Sequence, residues 1–206
     1  MNHAAGLAPE DVQPPGPGRP PSTTRLELQR IALDMFSANG YDEVTIEALA
    51  AAAGISRRTF FRYFASKADA LMADFDGDVE RLRSVLAGSD PDLPVMDAIR
   101  HAVVAVNRYH ADDLARLRQR MRLQQDHPAL LANGILHYEA WQAVVAEFAA
   151  ARLGLAPDDL LPQVIARSVF GAAFAGFMSW LADDRGDLSP RLDSALAAMA
   201  EAFQPR

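Results

Sequence analysis

The chain has 206 residues, half of them apolar and 23% charged, with no cysteine and a formal net charge of −7. This is the composition of a folded chain long enough for a sizeable core, and it excludes a disulfide framework, a thiol nucleophile and any thiolate-held metal. A negative whole also lacks a general basic field, so contact with nucleic acid has to come from a local patch.

Residues 1–21 hold six of the thirteen prolines and three glycines, which predicts a flexible tail with too little apolar surface to order itself. No basic start followed by an apolar run stands there, so no secretory signal is read and the cytoplasm is the expected location. Thr24-x-x-Glu27 is a capping box for a first helix, which carries Leu28, Ile31, Ala32, Met35 and Phe36 on one face and stops at Asn39-Gly40. A short helix from Ile46 to Ala52, capped by Thr45, precedes the turn Ala53-Gly54-Ile55. Ser56 then caps a third helix, Arg57 to Phe64. Ser66-x-x-Asp69 predicts the start of a long fourth helix, Lys67 to Leu86. Gly88 to Pro94 breaks the pattern and marks a domain junction. Five more helical patterns are read near 94–110, 112–125, 128–152, 158–183 and 189–203, and no strand. The most apolar stretch, Val164 to Ala182, carries Arg167, Ser168 and Ser179 and is read as a buried helix, not a membrane span.

Two short helices joined by three residues must cross closely. Ala50 supplies the small residue at the crossing, and Gly54, four positions on, supplies a residue that accepts left-handed dihedrals. Ile46, Leu49, Ile55 and Phe60 face back onto the first helix. This is the helix-turn-helix pattern, whose second helix enters the DNA major groove. Residues 54–67 contain Arg57, Arg58, Arg62 and Lys67 and no acid. Residues 19–70 are net +1, so the rest of the chain is net −8. The positive charge is concentrated on the expected recognition helix. A solvated basic face on a small helical domain is the plainer alternative.

These residues resemble the TetR (tetracycline-repressor-like) family of transcriptional regulators. The resemblance rests on Gly18-Arg19-Pro20, Phe36-x3-Gly40-Tyr41, Thr45-Ile46-x2-Leu49-Ala50-x2-Ala53-Gly54-Ile55-Ser56 and Thr59-Phe60-Phe61-Arg62-Tyr63-Phe64-x-Ser66-Lys67-x2-Ala70-Leu71. It implies an all-α fold: residues 1–21 as an arm, 22–70 as a helix-turn-helix domain and 71–206 as a helical ligand-binding and dimerisation domain. The expected partners are a near-palindromic double-stranded operator, a small-molecule effector and a second copy of the chain, with no cofactor and no membrane. Arg57 and Arg58, in the first turn of the recognition helix, are expected at base edges. Thr59 is expected at a thymine methyl or a phosphate, and Arg62 at either a base or the backbone. By resemblance, Thr45, Ser56, Tyr63 and Lys67 would grip phosphates. Arg19 on the arm would enter the minor groove. The family usually has Tyr at the place of Phe61, so a phosphate hydrogen bond is missing there.

In the helix near 158–183, Ser168, Ala172, Ala175 and Ser179 form a small-residue stripe. With Leu192, Leu196 and Met199 of the last helix they are the expected dimer interface, packing within one chain being the alternative. Arg120, Met121, Tyr138, Trp141, Phe170, Phe174 and Phe177 are candidates for an apolar effector pocket, and equally for plain core. Arg116, Arg118, Arg120 and Arg122 form two i,i+4 pairs, read either as a solvated face or as a site for an anionic head group. The stretch from Arg120 through His127-Pro128 to Trp141 resembles the TetR branch with acyl-CoA-like ligand-binding domains, which includes the mycofactocin-system regulators. That implies an effector with a long apolar tail and a charged head. The function expected is a repressor released from its operator by such a ligand. A DNA-free ligand-binding scaffold is a second reading. An all-α enzyme is a third, with little support: the five histidines form no H-x3-H or H-E-x-x-H motif, and no nucleophile elbow is present.

Overall fold

The computed structural model describes residues 23–72, 75–183 and 186–201, with the side chains there except those of Asp76, Leu131 and Leu136. The expected arm, Arg19 included, lies outside the described residues. Among those described, every regular element is helical. The chain runs α1 (Arg25–Asn39), α2 (Ile46–Ala52), α3 (Arg57–Tyr63), a 3₁₀ turn (Asp69–Met72), α4 (Phe75–Ala87), α5 (Val95–Val106), α6 (Ala111–Asp126), α7 (Pro128–Leu153), α8 (Leu160–Leu181) and α9 (Leu188–Glu201).

The first core lies under α1–α3. Leu28, Ala32, Leu33, Phe36, Leu49, Phe60 and Leu71 are shut from solvent within it. Leu33 and Gln29, rather than Ile31 and Met35, complete the buried side of α1. The Thr24–Glu27 capping box forms in both directions. The second core gathers α4–α9 around Leu82, Ile99, Val103, Val145, Val169 and Leu192.

The α8 helix is long and apolar enough to cross a membrane by length and composition. Here it lies between α7 and α9, with Ile165, Ala166, Val169, Ala173 and Trp180 buried against them. At Gly176 the α9 backbone comes so near that a Cβ would sit 3.1 Å from Leu192 Cα, so any larger residue there would have to push the two helices slightly apart. Arg100 of α5 holds Asp193 of α9 through two bonds of 2.7 and 2.8 Å.

Two expectations are corrected here. The fourth helix does not run unbroken from Lys67. Ser66 and Asp69 do cap each other, through bonds of 2.9 and 3.2 Å, but they open the 3₁₀ turn over Asp69–Met72, and the described part of α4 runs from Phe75. The box fixes the local amides, and the burial of Ala70, Leu71 and Met72 against the head core decides the path beyond it. Leu192 and Leu196 are not surface residues open to a second chain. Both are wholly buried against α8, and Met199 packs on the same core. The apolar period of α9 is consumed within one chain.

Candidate functional site

Local chemistry shapes the α2–α3 unit. Thr45 Oγ1 accepts from the Ala48 amide at 3.1 Å, and Ser56 Oγ from the Thr59 amide at 3.1 Å, so both helices start on hydroxyl caps. Gly54 sits at φ +65°, the left-handed conformation that closes the turn, and the Ile55 amide reaches back to Ala50 O at 2.9 Å. Ala50 is buried at the crossing, and Phe60, wholly buried, fixes α3 on α1.

The outer side of α3 carries Arg57, Arg58, Phe61 and Arg62, all exposed. Arg58 makes no hydrogen bond or ion pair among the described residues. Arg57 lies 3.2 Å from Glu47 and over the Phe61 ring at 5.5 Å; both side chains of the ion pair are more than 60% exposed, so the pair is weak and exchangeable. Phe61 stands 43% exposed, its ring edge-on to Phe60. Its missing hydroxyl removes one phosphate donor, but the outward ring between arginines has the apolar character that can meet a thymine methyl. The Thr59 hydroxyl is 2.9 Å from Ser56 Oγ.

Two residues expected at phosphates are engaged elsewhere. The Tyr63 hydroxyl donates to Thr23 O at 2.9 Å and ties the start of α1 to the end of α3. The Lys67 ammonium donates to Tyr41 O at 2.7 Å and Val44 O at 3.1 Å, with a longer 3.4 Å approach to Asp42 O, and sits 4.2 Å from the Tyr41 ring centroid. Its donors are directed at the loop between α1 and α2, which makes it a clamp on that loop.

The second feature is a cavity of about 110 Å³ inside the helical body. Arg120, Met121, Tyr138, Trp141, Phe170, Phe174 and Phe177 all line it, together with Met72 and Phe75 from the connection to the head. Its rings form a chain: Phe75–Tyr138 at 5.5 Å, Tyr138–Phe170 at 5.0 Å, Trp141–Phe170 at 5.8 Å and Phe170–Phe174 at 6.4 Å. Burial pushes the Tyr138 phenol above its ordinary value, with Arg120 nearby opposing the shift, so the hydroxyl stays neutral. Gln124, buried beside it, points its amide at Met72 Sδ, 3.2 Å away. Leu136, another apolar residue of α7, has no described side chain.

The arginine row divides by role. Arg118 stacks 4.1 Å over Trp180 and donates to Trp180 O and Asp183 O, closing the C-terminus of α8. Arg116 and Arg120 point into an open groove.

α6 touches both features. Within its cavity-lining stretch it carries Gln119, bonded to Ser37 of α1, and just past its end His127, whose ring lies 5.3 Å from that of Tyr41. Leu130, at the start of α7, is 2% exposed within the head core, and Asn133 donates to Asp69 at 2.7 Å.

A helix-turn-helix head locked onto a helical body with an internal apolar cavity defines a DNA-binding regulator with its own sensor domain. The family model for the N-terminal part of bacterial TetR-type regulatory proteins matches residues 30–73, and the model described as the MftR C-terminal domain matches residues 93–204. The regulator MftR of Mycobacterium tuberculosis, named for mycofactocin biosynthesis, is 35% identical over 178 residues, covering 86% of this chain and 90% of its own. The regulator TcmR of Streptomyces glaucescens is 31% identical over 201 residues, 93% of this chain and 85% of its own. The crystal structure of Thermus thermophilus FadR, a TetR-family repressor in complex with lauroyl-CoA, shares the fold at a TM-score of 0.56 and 24% identity, covering 89% of this chain and 96% of that one. The chain belongs to the TetR family, with a C-terminal domain of the MftR type. It is a transcriptional regulator and not an enzyme; regulators of this family bind operator DNA, form dimers and bind small-molecule effectors.

Proposed function

We propose that the chain is a homodimeric cytoplasmic repressor that leaves its operator when an acyl-CoA-like molecule enters the body. Residues 23–72 act as the reading head and the helices from α4 onward as the sensing and pairing domain. In the head, Arg58 reads a guanine edge and Phe61 a thymine methyl. Arg57 exchanges Glu47 for DNA, and Arg62 together with the amides at the starts of α2 and α3 grips phosphates. Arg19 keeps its proposed place in the minor groove. Lys67 and Tyr63 support this surface from behind.

Two copies pair through the outward side of α8, where Leu161, Val164, Gly171, Ala175 and Ser179 are exposed and Ser168 and Ala172 half-buried. Pairing sets two recognition helices about 34–36 Å apart, one turn of DNA.

The observation that carries the reading is the cavity and what its walls are attached to. At about 110 Å³ it is smaller than the ~150 Å³ cavity that admits a benzene ring. A long apolar tail can enter only by moving the walls. Those walls include Met72 and Phe75 on the path to α4, and α6, which also holds the head through Gln119 and the His127 corner. Binding therefore favours a displaced head, and this difference in affinity between the two arrangements is what shifts the population off DNA. The FadR neighbour, seen with lauroyl-CoA, supports this effector class.

The test is fluorescence anisotropy of the full-length protein on its own upstream DNA across a salt series, with and without lauroyl-CoA. Tight, salt-steep binding abolished by lauroyl-CoA is expected. Binding indifferent to lauroyl-CoA removes the effector, and no selective binding to any sequence in a random pool removes the repressor.

A further inference from the structure

An open groove of about 660 Å³ runs between the head and the body. Leu26, Gln29, Arg30 and Leu33 of α1 form one wall. The other is built from α4, the end of α5 and the first half of α6. Five arginines line it, Arg30, Arg81, Arg108, Arg116 and Arg120, against the two carboxylates Asp78 and Asp113. Arg81 is bonded to Asp78. Arg30, Arg108, Arg116 and Arg120 have no ion pair among the described residues.

This is unexpected in a chain with 27 acids to 20 bases. Acids are plentiful, yet the groove brings like charges together and leaves four of them unpaired among the described residues. Such a cluster repels itself, and an anion between the guanidinium groups relieves the repulsion. Guanidinium groups in this number suit phosphate, which each can grip with two parallel N–H donors.

The groove also adjoins the apolar cavity. Asp78, Val106, Tyr109, Leu117 and Arg120 line both. These five residues are all that stands between a wall of aromatic rings and a wall of arginines, so an occupant that parts them reaches both.

We propose that this groove takes the phosphorylated head of the effector while its apolar tail lies in the cavity, and that the head group regulates by joining Arg30 of α1 to Arg108, Arg116 and Arg120 of the body. The inference rests on the effector reading given above and adds a second subsite to it. Without an anion between them, Arg30 and the body arginines repel across the gap. With a polyphosphorylated group there, the same charges bind head to body and fix the angle of α1. Tail and head then have separable work: both add affinity, and only the head couples it to the DNA-reading surface.

The experiment uses the full-length protein with three probes, lauroyl-CoA, CoA alone and dodecanoate, in calorimetric binding and operator-release assays. Arg116→Gln and Arg30→Gln are compared with wild type, with Arg116→Lys as the charge-keeping control. Both arginines are exposed, so the fold is preserved, and circular dichroism checks this. Lauroyl-CoA is expected to bind at least tenfold tighter than dodecanoate. Arg116→Gln loses tenfold or more for lauroyl-CoA and CoA with no change for dodecanoate, and Arg116→Lys recovers part of it. Arg30→Gln raises the lauroyl-CoA concentration needed for release several-fold. Equal lauroyl-CoA binding and release by wild type and both Gln variants overturns the groove and leaves the cavity reading standing. Release by dodecanoate as effective as by lauroyl-CoA overturns the regulatory role of the head. CoA binding as tight as lauroyl-CoA, with no dodecanoate bound, makes the occupant a free phosphorylated nucleotide and overturns the joined tail. No binding of any probe overturns both readings.

Discussion

Lys67→Ala separates two roles for the same ammonium. At a phosphate, its loss would remove one counterion-releasing contact and flatten the salt dependence of operator binding by about 0.9 in log–log slope. The structure points elsewhere. Lys67 donates at 2.7 and 3.1 Å to two carbonyls of the α1–α2 loop, approaches a third at 3.4 Å and covers the Tyr41 ring. A hydrogen bond from a charged donor contributes about 1.5–3 kcal/mol when both groups are sheltered. Lys67 is half-buried and the loop carbonyls can take water instead, so the net loss is about 2 kcal/mol rather than the sum. For a chain of this size that lowers Tm by about 4–8 °C. Operator affinity should fall because the loop that seats α2 loosens, with the salt slope unchanged. Lys67→Met, which keeps the stem on Tyr41, should lie between the two. Thermal unfolding by circular dichroism and anisotropy from low to moderate salt measure both quantities. A variant as stable as wild type whose slope falls by about one would refute the clamp and return Lys67 to the phosphate backbone.

Arg58→Ala should cost about 1–3 kcal/mol of operator affinity and relax preference at one base pair, read by binding-site selection with each protein; an unchanged selected sequence removes Arg58 from the base contacts. Phe174→Ala, at a residue 38% exposed on the cavity rim, should weaken release by lauroyl-CoA several-fold while leaving ligand-free operator binding intact; normal release would take Phe174 off the effector's path. Gly176→Ala should destabilise by about 1–3 kcal/mol, since its Cβ would meet α9 backbone and the two helices must part; a melting temperature at or above wild type contradicts that crossing. The Arg100 guanidinium holds the Asp193 carboxyl below its ordinary 3.8. A carboxyl so lowered stabilises the fold above 3.8 and stops doing so as the pH falls through its folded value. Both side chains are partly exposed, so Asp193→Asn should cost less than about 1 kcal/mol near neutrality, and the gap to wild type should close at acid pH. A gap that persists in acid would assign the effect to packing.

The head was legible in the sequence because its determinants are local. Caps at Thr24, Thr45 and Ser56, a left-handed turn at Gly54 and a small residue at Ala50 lie within a few residues of what they control. The Ser66–Asp69 box was legible as a cap but not as the start of a helix, because burial against α1 settles the conformation of the next residues. Leu192 and Leu196 show the same limit: an apolar period says that a face is covered, not which chain covers it. The arginine row shows it for charge, since Arg116, Arg118 and Arg120 are alike by spacing, and only the position of the α8 C-terminus turns Arg118 inward. Lys67, Arg118 and Arg152, the last donating to the carbonyls of Asp90, Pro91 and Leu93, each gather backbone oxygens far away in sequence. No count of local charge distinguishes such residues from those that await a partner.

The narrow cavity has a consequence for sensitivity. If the wide arrangement must exist before a tail can enter, the measured affinity is the intrinsic one multiplied by the fraction of molecules already wide. A closed resting form then acts as a threshold, so that trace amounts of ligand leave the operator occupied. Side chains such as Phe170 and Met121 set that threshold by their bulk. Trimming them would make the protein respond to less ligand and hold its operator more loosely at the same time, two effects of one equilibrium.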